Sequence, residues 1–273
     1  MACRSLRCLV LLLIVAADPA FAAPPDRLTL DYEVYVGGLR LLKARAMLDL
    51  APDAYGIRLD AALEGVPALF ADWWAVTTSE GRVVDGAVVP RHHRIERLHR
   101  GVVKTIDMAY DAGGTIAVVF DPPRDDLVPI DPADMAGAND PLTALVAMIE
   151  RISAGGACSG TIKAFDGRRR YDLVFAEGGP ATLAPNRYSP YAGPALRCRM
   201  RQVPVAGDWD WGEETGSKAP RERAADIWLA APVDGAPVVP VRVEGEVWIG
   251  RFYVHLTQAS LGAALPEAAR RPE

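Results

Sequence analysis

Apolar residues take every second position along most of the chain. Residues 28–36, 55–63 and 102–110 show this alternation most clearly, and only Lys104 interrupts the apolar side of the third run. A period of two is that of a β-strand with one face on a core and the other in water. The three runs are therefore predicted to be half-buried antiparallel strands.

Short turn-forming pairs separate these runs. Gly37–Gly38, Asp85–Gly86, Gly113–Gly114 and Asp166–Gly167 each stand between two alternating stretches. Glycine at such points permits the backbone conformations that hairpins require. The spacing predicts a mainly β fold, a curved antiparallel sheet or incomplete β-barrel, formed by a single β-rich domain over residues 23–273.

Two segments depart from the alternation. Residues 139–152 place Asp140 as an N-cap and Pro141 at the first helical position, and these features predict an amphipathic α-helix. Residues 67–74 are too densely apolar for a strand with one face exposed to solvent. They are predicted to form a short helical segment or a turn that covers the core. The apolar stripe of the longer helix is expected to pack on the concave face of the sheet, and it consists of Leu142, Leu145, Val146, Ile149 and Ile152.

The first 22 residues have the organisation of a secretory signal peptide. Arg4 and Arg7 give a positive start, residues 8–15 form an apolar run, and residues 20–22 are a small-x-small cleavage site. The apolar run falls short of the roughly 20 residues that span a bilayer, so no transmembrane span is expected. We expect export, cleavage after Ala22 and a periplasmic location.

The composition indicates a folded, mildly acidic protein. Half of the residues are hydrophobic and the formal net charge is −5. Nucleic acids and anionic surfaces attract proteins through basic fields, so nucleic acid is not expected as a partner.

Removal of the signal peptide leaves Cys158 and Cys198 as the only two thiols. An even pair of cysteines in an exported protein most simply forms a disulfide. Two cysteines are too few for the usual zinc cluster, and a lone nucleophile with a spare partner is the weaker alternative. We predict a Cys158–Cys198 disulfide.

Residues 163–173, KAFDGRRRYDL, set three arginines beside an Asp–Gly hairpin signal. The alternation places Arg168, Arg170 and Asp172 on one face of the following strand. A phosphate-binding loop would use a helix N-terminus or a glycine-rich loop, and the sequence indicates neither here. The arginines are interpreted as solvated charges on a strand.

Four phrases stand in fixed order along the chain. They are YEVYVGGLRLLKA, NDPLTALVAMI, AFDGRRRYDLVF and IWLAAPVDGAPVVPVRVEGEVWIG, and Cys158 and Cys198 bracket the third. Together they resemble the exported bacterial proteins of domain-of-unknown-function family 3108. The resemblance runs from residue 28 to residue 256. It implies a curved antiparallel sheet or incomplete barrel, similar in outline to periplasmic lipoprotein carriers, and it supplies no catalytic residues.

Candidates for catalysis or metal binding are sparse. His92, His93 and His99 lie on one predicted strand and are interpreted as surface histidines, because a metal site requires further ligands from other strands. The sequence contains no Gly-x-Ser-x-Gly motif, and nothing signals a base beside Ser159. No catalytic residue, metal or cofactor is predicted. A hydrolase built on loop aspartates is the weakest function class considered.

The leading functional prediction is a non-enzymatic module that binds or carries an apolar or lipid-like ligand. A curled sheet with an apolar inner face and one covering helix encloses a cavity when side chains do not fill its middle. The residues predicted to contact the ligand are Tyr32, Val34, Leu59, Leu63, Trp74, Met108, Leu145 and Met148.

The alternative prediction is an envelope protein-interaction or assembly factor. Trp209 and Trp211 stand in the acidic loop sequence GDWDWGEE. Tryptophan is enriched among the residues that dominate binding at protein interfaces. These two residues are the predicted partner contacts.

Overall fold

The computed structural model describes residues 26–263, apart from residues 100, 208, 210–221 and 248. The predicted signal peptide therefore lies outside the described residues. Within the described part, 13 strands form one antiparallel sheet. The strands are β1 Asp26–Val36, β2 Leu39–Leu50, β3 Ala54–Leu63, β4 Trp74–Val84, β5 Ala87–His99, β6 Val102–Tyr110, β7 Ile116–Asp121, β8 Gly160–Phe165, β9 Arg169–Leu183, β10 Gly193–Gly207, β11 Arg223–Ala230, β12 Val239–Val247 and β13 Gly250–Ala263.

The sheet is a meander whose two halves join where the first strand meets the last. The spatial order is β7-β6-β5-β4-β3-β2-β1-β13-β12-β11-β10-β9-β8. Apart from β7 and β8, strands adjacent in sequence pair with each other. Several do so through short turns, such as the one at Gly37 and Gly38, where both residues have positive φ. The predicted mainly β fold with a curved antiparallel sheet is confirmed.

The tip of the β8–β9 hairpin brings the two edges of the sheet together. Gly167 in this tip has φ 89°, and a Cβ atom at this position would lie 2.6 Å from Ile106 Cγ2 on β6. Both the backbone conformation and the close approach therefore require glycine. Since β7 and β8 end the sheet rather than pair with each other, the barrel is incomplete and side chains close its seam.

Helix α2, Pro141–Ser153, lies inside the curled sheet. As predicted, Asp140 caps it, accepting hydrogen bonds from the backbone N–H groups of Leu142 (3.0 Å) and Thr143 (2.9 Å). Its apolar side chains belong to two buried clusters that also include residues of both halves of the sheet. The strand pairing is extended on the β8 edge by Asn139, which bridges to Ala164. No helix among the described residues is long and apolar enough to cross a bilayer.

Two short helical segments complete the architecture. The helix α1, Pro132–Met135, precedes α2, and a 3₁₀ helix covers Val66–Leu69 between β3 and β4. The second confirms a short helical segment near the predicted position, but the expectation that it covers the core is wrong. Leu69 is 78 % exposed and Phe70 is 84 % exposed, because the chain turns away from the sheet at Gly65, where φ is 70°.

The interpretation of the 168–170 arginines as solvated is wrong for Arg170. Arg170 is only 3 % exposed. Its Nε donates to the backbone carbonyl of Asp134 (2.8 Å), and its Nη1 lies 2.7 Å from Asp172 Oδ1. The alternation correctly separated the two faces of β9, but α1 covers the face that was expected to contact water.

The predicted Cys158–Cys198 disulfide is present, with the two Cα atoms 5.9 Å apart. It joins the loop after α2 to the inner face of β10, where Cys198 is fully buried. The cross-link therefore holds the end of α2 close to the second half of the sheet.

We predict that Cys158→Ala/Cys198→Ala lowers the free energy of unfolding by about 2–4 kcal/mol, because the unfolded chain regains the entropy of a 40-residue loop. Urea unfolding measured by circular dichroism tests this value. A reducing agent should destabilise the wild type to a similar degree and leave the variant unchanged. Equal stability of the oxidised wild type and the variant would contradict the prediction.

Candidate functional site

Alternate residues of the central strands point to the interior, and α2 covers only part of this inner face. Leu28 on β1, Leu48 on β2 and Ile57 on β3 are buried and form one cluster with Val146 and Ile149 of α2. Both helix residues have almost no exposed surface. The helix therefore fills this part of the half-barrel with side chains.

Further along the same strands the inner positions are not covered by α2. Val34, Leu42 and Leu63 are aligned across β1, β2 and β3, and each is only half-buried. The next aligned inner residues, one step closer to α2, are Ala44, Ala61 and Ala75. We call these six residues the open end. Because alanine is short, space remains above the sheet where longer side chains would fill it.

Exposed apolar residues surround the open end. Leu39 is the first residue of β2, and Val66, Leu69 and Phe70 lie in the β3–β4 connection, at the strand ends nearest the open end. All four are exposed by 59 % or more. We call them the apolar rim. A contiguous group of exposed large apolar side chains marks a binding region more often than singly scattered ones do.

The eight predicted ligand contacts divide among the open end, the core and the outer face of the sheet. Val34 and Leu63 belong to the open end. Tyr32, Leu59 and Leu145 are half-buried and pack against the core cluster. Tyr32 also donates a hydrogen bond to the Pro240 carbonyl oxygen (2.9 Å).

Met108 and Met148 are both buried within the packed interior. Met108 clusters with Ile106 and Phe165 next to the barrel seam, whereas Met148 packs near the disulfide. In this structure neither methionine presents a surface to a ligand.

Trp74 lies on the outer face of the sheet, because its pairing partner Ala62 alternates with the inner residue Ala61. It lines an open depression of about 660 Å³ on β1–β4, and Ala44, Ala61 and Ala75 of the open end contribute to the same lining. Charged residues surround this outer depression, and they are largely paired, as in Arg45 with Asp31 (2.6 Å) and Lys43 with Glu64 (3.4 Å). Trp74 thus lies on the side of the sheet opposite the open end.

A second depression, of about 470 Å³, follows the seam of the barrel. The β6–β7 turn with the start of β7, the loop after β7, α1 and the β8–β9 hairpin form its walls. They contribute Ile116, Leu127, Met135 and Phe165. None of the predicted ligand contacts lies there.

A buried polar cluster anchors the N-terminus of α2. Asp140 and His93 are both 0 % exposed. One carboxylate oxygen of Asp140 accepts from Ser79 Oγ (2.6 Å) and lies 3.0 Å from His93 Nδ1, and the other accepts from Thr143 Oγ1 (2.5 Å). Tyr55 OH donates in turn to Thr143 Oγ1 (2.6 Å). The carboxylate thereby joins α2 to β3, β4 and β5.

The burial of His93 contradicts its interpretation as a surface histidine. Alternation placed it correctly opposite Glu96, but its face is the one that α2 covers. His92 does lie near the surface, where its Nε2 is 3.0 Å from Asp107 Oδ1. Sequence reasoning missed the joint role of Ser79, His93 and Thr143, since only the cap residue Asp140 has a local signal.

The cluster contains the residue types of a Ser-His-Asp triad in a different geometry. A catalytic histidine uses Nε2 to activate serine and Nδ1 to contact aspartate. Here Ser79 and Asp140 both lie next to His93 Nδ1, and Nε2 is buried with no hydrogen-bond partner among the described residues. The arrangement supports the helix and does not present an activated serine.

The electrostatics of the cluster favour the ionised carboxylate. Burial raises the pKa of Asp140, but the interactions with His93 and the hydrogen bonds from Ser79 and Thr143 outweigh this effect and leave the pKa below its usual value. The N-terminus of α2 adds to this preference through its backbone N–H groups.

The remaining candidates do not converge on a reaction centre. Within the described ranges, no three His, Cys, Asp or Glu side chains are grouped so that they could hold a metal ion. Trp209 packs against Tyr171, and its Nε1 donates to the Ala206 carbonyl (3.0 Å). Trp211 lies outside the described residues.

Comparison with known proteins identifies the family. The family described as "Protein of unknown function (DUF3108)" matches residues 31–257. The chain therefore belongs to this family, which confirms the resemblance seen in the sequence. No curated protein matches the chain.

One solved structure similar to this chain is a β-barrel-like protein of domain of unknown function DUF1849 from Brucella abortus. The two chains are 10 % identical, with a TM-score of 0.48. The match covers 89 % of this chain and 99 % of the other.

We predict that Ser79→Ala destabilises the protein by about 1–3 kcal/mol, because Asp140 and His93 each lose a buried hydrogen-bond partner. Urea unfolding provides the measurement. Ser260→Ala on β13 is the matched control, since Ser260 is exposed. Equal effects of the two substitutions would contradict a structural role for the cluster.

The Asp140 carboxylate also predicts a pH dependence. Its folded-state pKa is lowered, so its contribution to stability is present above the ordinary carboxyl pKa of about 3.9 and is lost as the pH falls through the folded-state value. The stability difference between wild type and Asp140→Asn should therefore be large at neutral pH and shrink below about pH 4. A difference that stays constant down to about pH 2 would refute this assignment.

Proposed function

We propose that this member of the DUF3108 family is an exported, non-enzymatic module of the periplasm that binds an apolar or lipid-like ligand at the open end of its half-barrel. The observation that carries the proposal is the partial filling of the barrel. Helix α2 buries the inner face at Leu48 and Ile57, whereas the aligned inner residues Val34, Leu42 and Leu63 remain half-buried.

The physical basis is the cost of leaving this surface in water. Burying apolar area contributes about 25 cal/mol per Å², so a ligand that covers the three branched side chains and the alanines between them gains binding free energy without displacing α2. Ligand sites are commonly concave, mostly apolar and formed before the ligand arrives.

The proposed site is shallower than a cavity beneath the helix. Met108 on β6 and Met148 on α2 itself are buried in the core, so they support the site from within rather than contact the ligand. Leu145 and Tyr32, which are half-buried at the core cluster, form its floor.

The apolar rim supports a role in taking up and releasing an apolar ligand. Leu69 and Phe70 are the most exposed large apolar residues of the described chain, and they stand next to the open end. A ligand that leaves a membrane or a partner can contact these side chains before it reaches Val34 and Leu63.

Two features support export. The sequence of residues 1–22 has the charge, length and cleavage site of a signal peptide. The Cys158–Cys198 disulfide is the kind of cross-link that forms and persists in oxidising compartments such as the periplasm.

The alternative is an envelope interaction or assembly factor. The specific observation in its favour is the exposure of the apolar rim. Trp209, which the sequence suggested as a partner contact, is half-buried against Tyr171. The two functions differ in one respect: only the leading one requires a small ligand in the open end.

We predict that Ala61→Phe blocks ligand uptake, because the aromatic ring would occupy the space above the open end. Native mass spectrometry after incubation with a mixture of fatty acids and phospholipids should show a bound species in the wild type and a loss of at least tenfold in this variant. Ala62→Phe is the matched control, since the side chain of Ala62 lies on the outer face beside Trp74.

The outcomes separate the possible sites. Loss of uptake only in Ala62→Phe would place the ligand in the outer depression and overturn the proposal for the open end. A wild type that stays free of ligand under all conditions would favour the envelope-interaction alternative. Circular dichroism of each variant verifies that the fold is intact.

A further inference from the structure

Two cations continue the row of inward alanines. On the inner face, Ala75 of β4 pairs with Arg97 of β5, and Arg97 pairs with Lys104 of β6. Adjacent strands lie about 4.8 Å apart, so Arg97 is the next inner residue beside the open end. Lys104 is also the residue that interrupts the apolar side of its strand.

Neither Arg97 nor Lys104 forms a salt bridge with a carboxylate in the part of the chain that the structure describes. Arg97 Nε is buried and lacks a hydrogen-bond partner. The carboxylates on the same two strands, Glu96 and Asp107, lie on the outer face and interact with Arg94. The inner cations are therefore separated by the sheet from the nearest acidic groups of β5 and β6.

Other arginines add positive charge at this place. Burial and the charges of Arg168, Arg169 and Arg124 lower the pKa of Arg97, and Asp166 opposes them only in part. The carboxylate of Asp166 already accepts two hydrogen bonds from the Arg169 guanidinium (2.8 and 2.6 Å). Arg124 likewise pairs with Asp126, so the observation that carries the argument is the buried, unpartnered Nε of Arg97 itself.

An uncompensated cation removed from water is unfavourable unless an anion accompanies it. Arginine donates hydrogen bonds from a planar fork that matches both carboxylate and phosphate oxygens, and lysine adds a second cation. The surroundings of Arg97 therefore favour a bound anion.

We propose that Arg97 and Lys104 bind the anionic head group, a carboxylate or a phosphate, of an amphiphilic ligand whose apolar chain lies along the open end. This inference rests on the proposed function and defines the chemical class of its ligand. Arg97 is separated from Ala61 by two strand spacings, or about 10 Å, which an acyl chain of medium length spans.

The test compares ligands that share one chain and differ in the head group. Isothermal titration calorimetry with dodecanoate, dodecyl phosphate and dodecanol should show at least tenfold tighter binding of one anionic ligand than of the neutral alcohol. Arg97→Gln/Lys104→Gln should abolish this preference and change the dissociation constant of dodecanol by less than twofold. Which anion binds more tightly identifies the head group as carboxylate or phosphate.

Lys43→Gln/Arg45→Gln is the matched control. It removes the same net charge from exposed positions on the outer face of β2, and it should retain the preference. If the Arg97/Lys104 double variant does not fold, the single variant Lys104→Gln is measured, with an expected loss of at least threefold in the preference.

Three results would overturn the inference. They are equal wild-type affinities for dodecanol and both anions, a preference that survives in the folded Arg97 and Lys104 variants, and an equal loss of preference in the outer-face control. In each of these cases binding of dodecanol by the wild type would leave the proposed function intact. If no dodecyl ligand binds the wild type, the proposed function and the head-group inference both fail.

Discussion

The buried carboxylate of Asp140 fixes the position of α2, and the position of α2 decides which part of the half-barrel is filled. This one group caps the helix through Leu142 N and Thr143 N and accepts a hydrogen bond from Ser79 of β4. A buried charge is stable only when hydrogen bonds and opposite charges replace its water. The helix therefore docks at the place where the sheet supplies these partners, while the disulfide holds the region after its C-terminus.

The strands of the meander extend further than the one helix inside can cover, and this mismatch leaves the surface of the proposed binding site exposed. Along the strands, the inner positions change from Leu48 and Ile57 next to α2 to alanine at Ala44 and Ala61. Across the sheet, the row of alanines continues from Ala75 to Arg97 and Lys104. Short apolar side chains beside inward-facing cations contribute little to the stability of the sheet when nothing covers them. They are a suitable surface for a molecule with an apolar chain and an anionic head.

Features that depend on neighbours in sequence could be predicted, and features that depend on distant contacts could not. The strands, the Asp140 cap and the cysteine pair each have a local signal. The burial of His93 and Arg170 depends on α2 and α1 packing over their strands, which alternation does not reveal. For Trp74, alternation does not reveal which face of the sheet its side chain occupies. The open end was predicted only in part, through Val34 and Leu63, because alanines carry no sequence signal of a site.

The central claim, that the ligand lies beyond α2 and not beneath it, is tested most directly by methyl NMR of protein labelled at Ile, Leu and Val side chains, titrated with dodecanoate. The account predicts chemical-shift changes for the methyl groups of Val34, Leu42 and Leu63, with Val146 and Ile149 of α2 nearly unchanged. Changes at Val146 and Ile149 with none at the other three residues would contradict it, since the ligand would then have entered by displacing the helix.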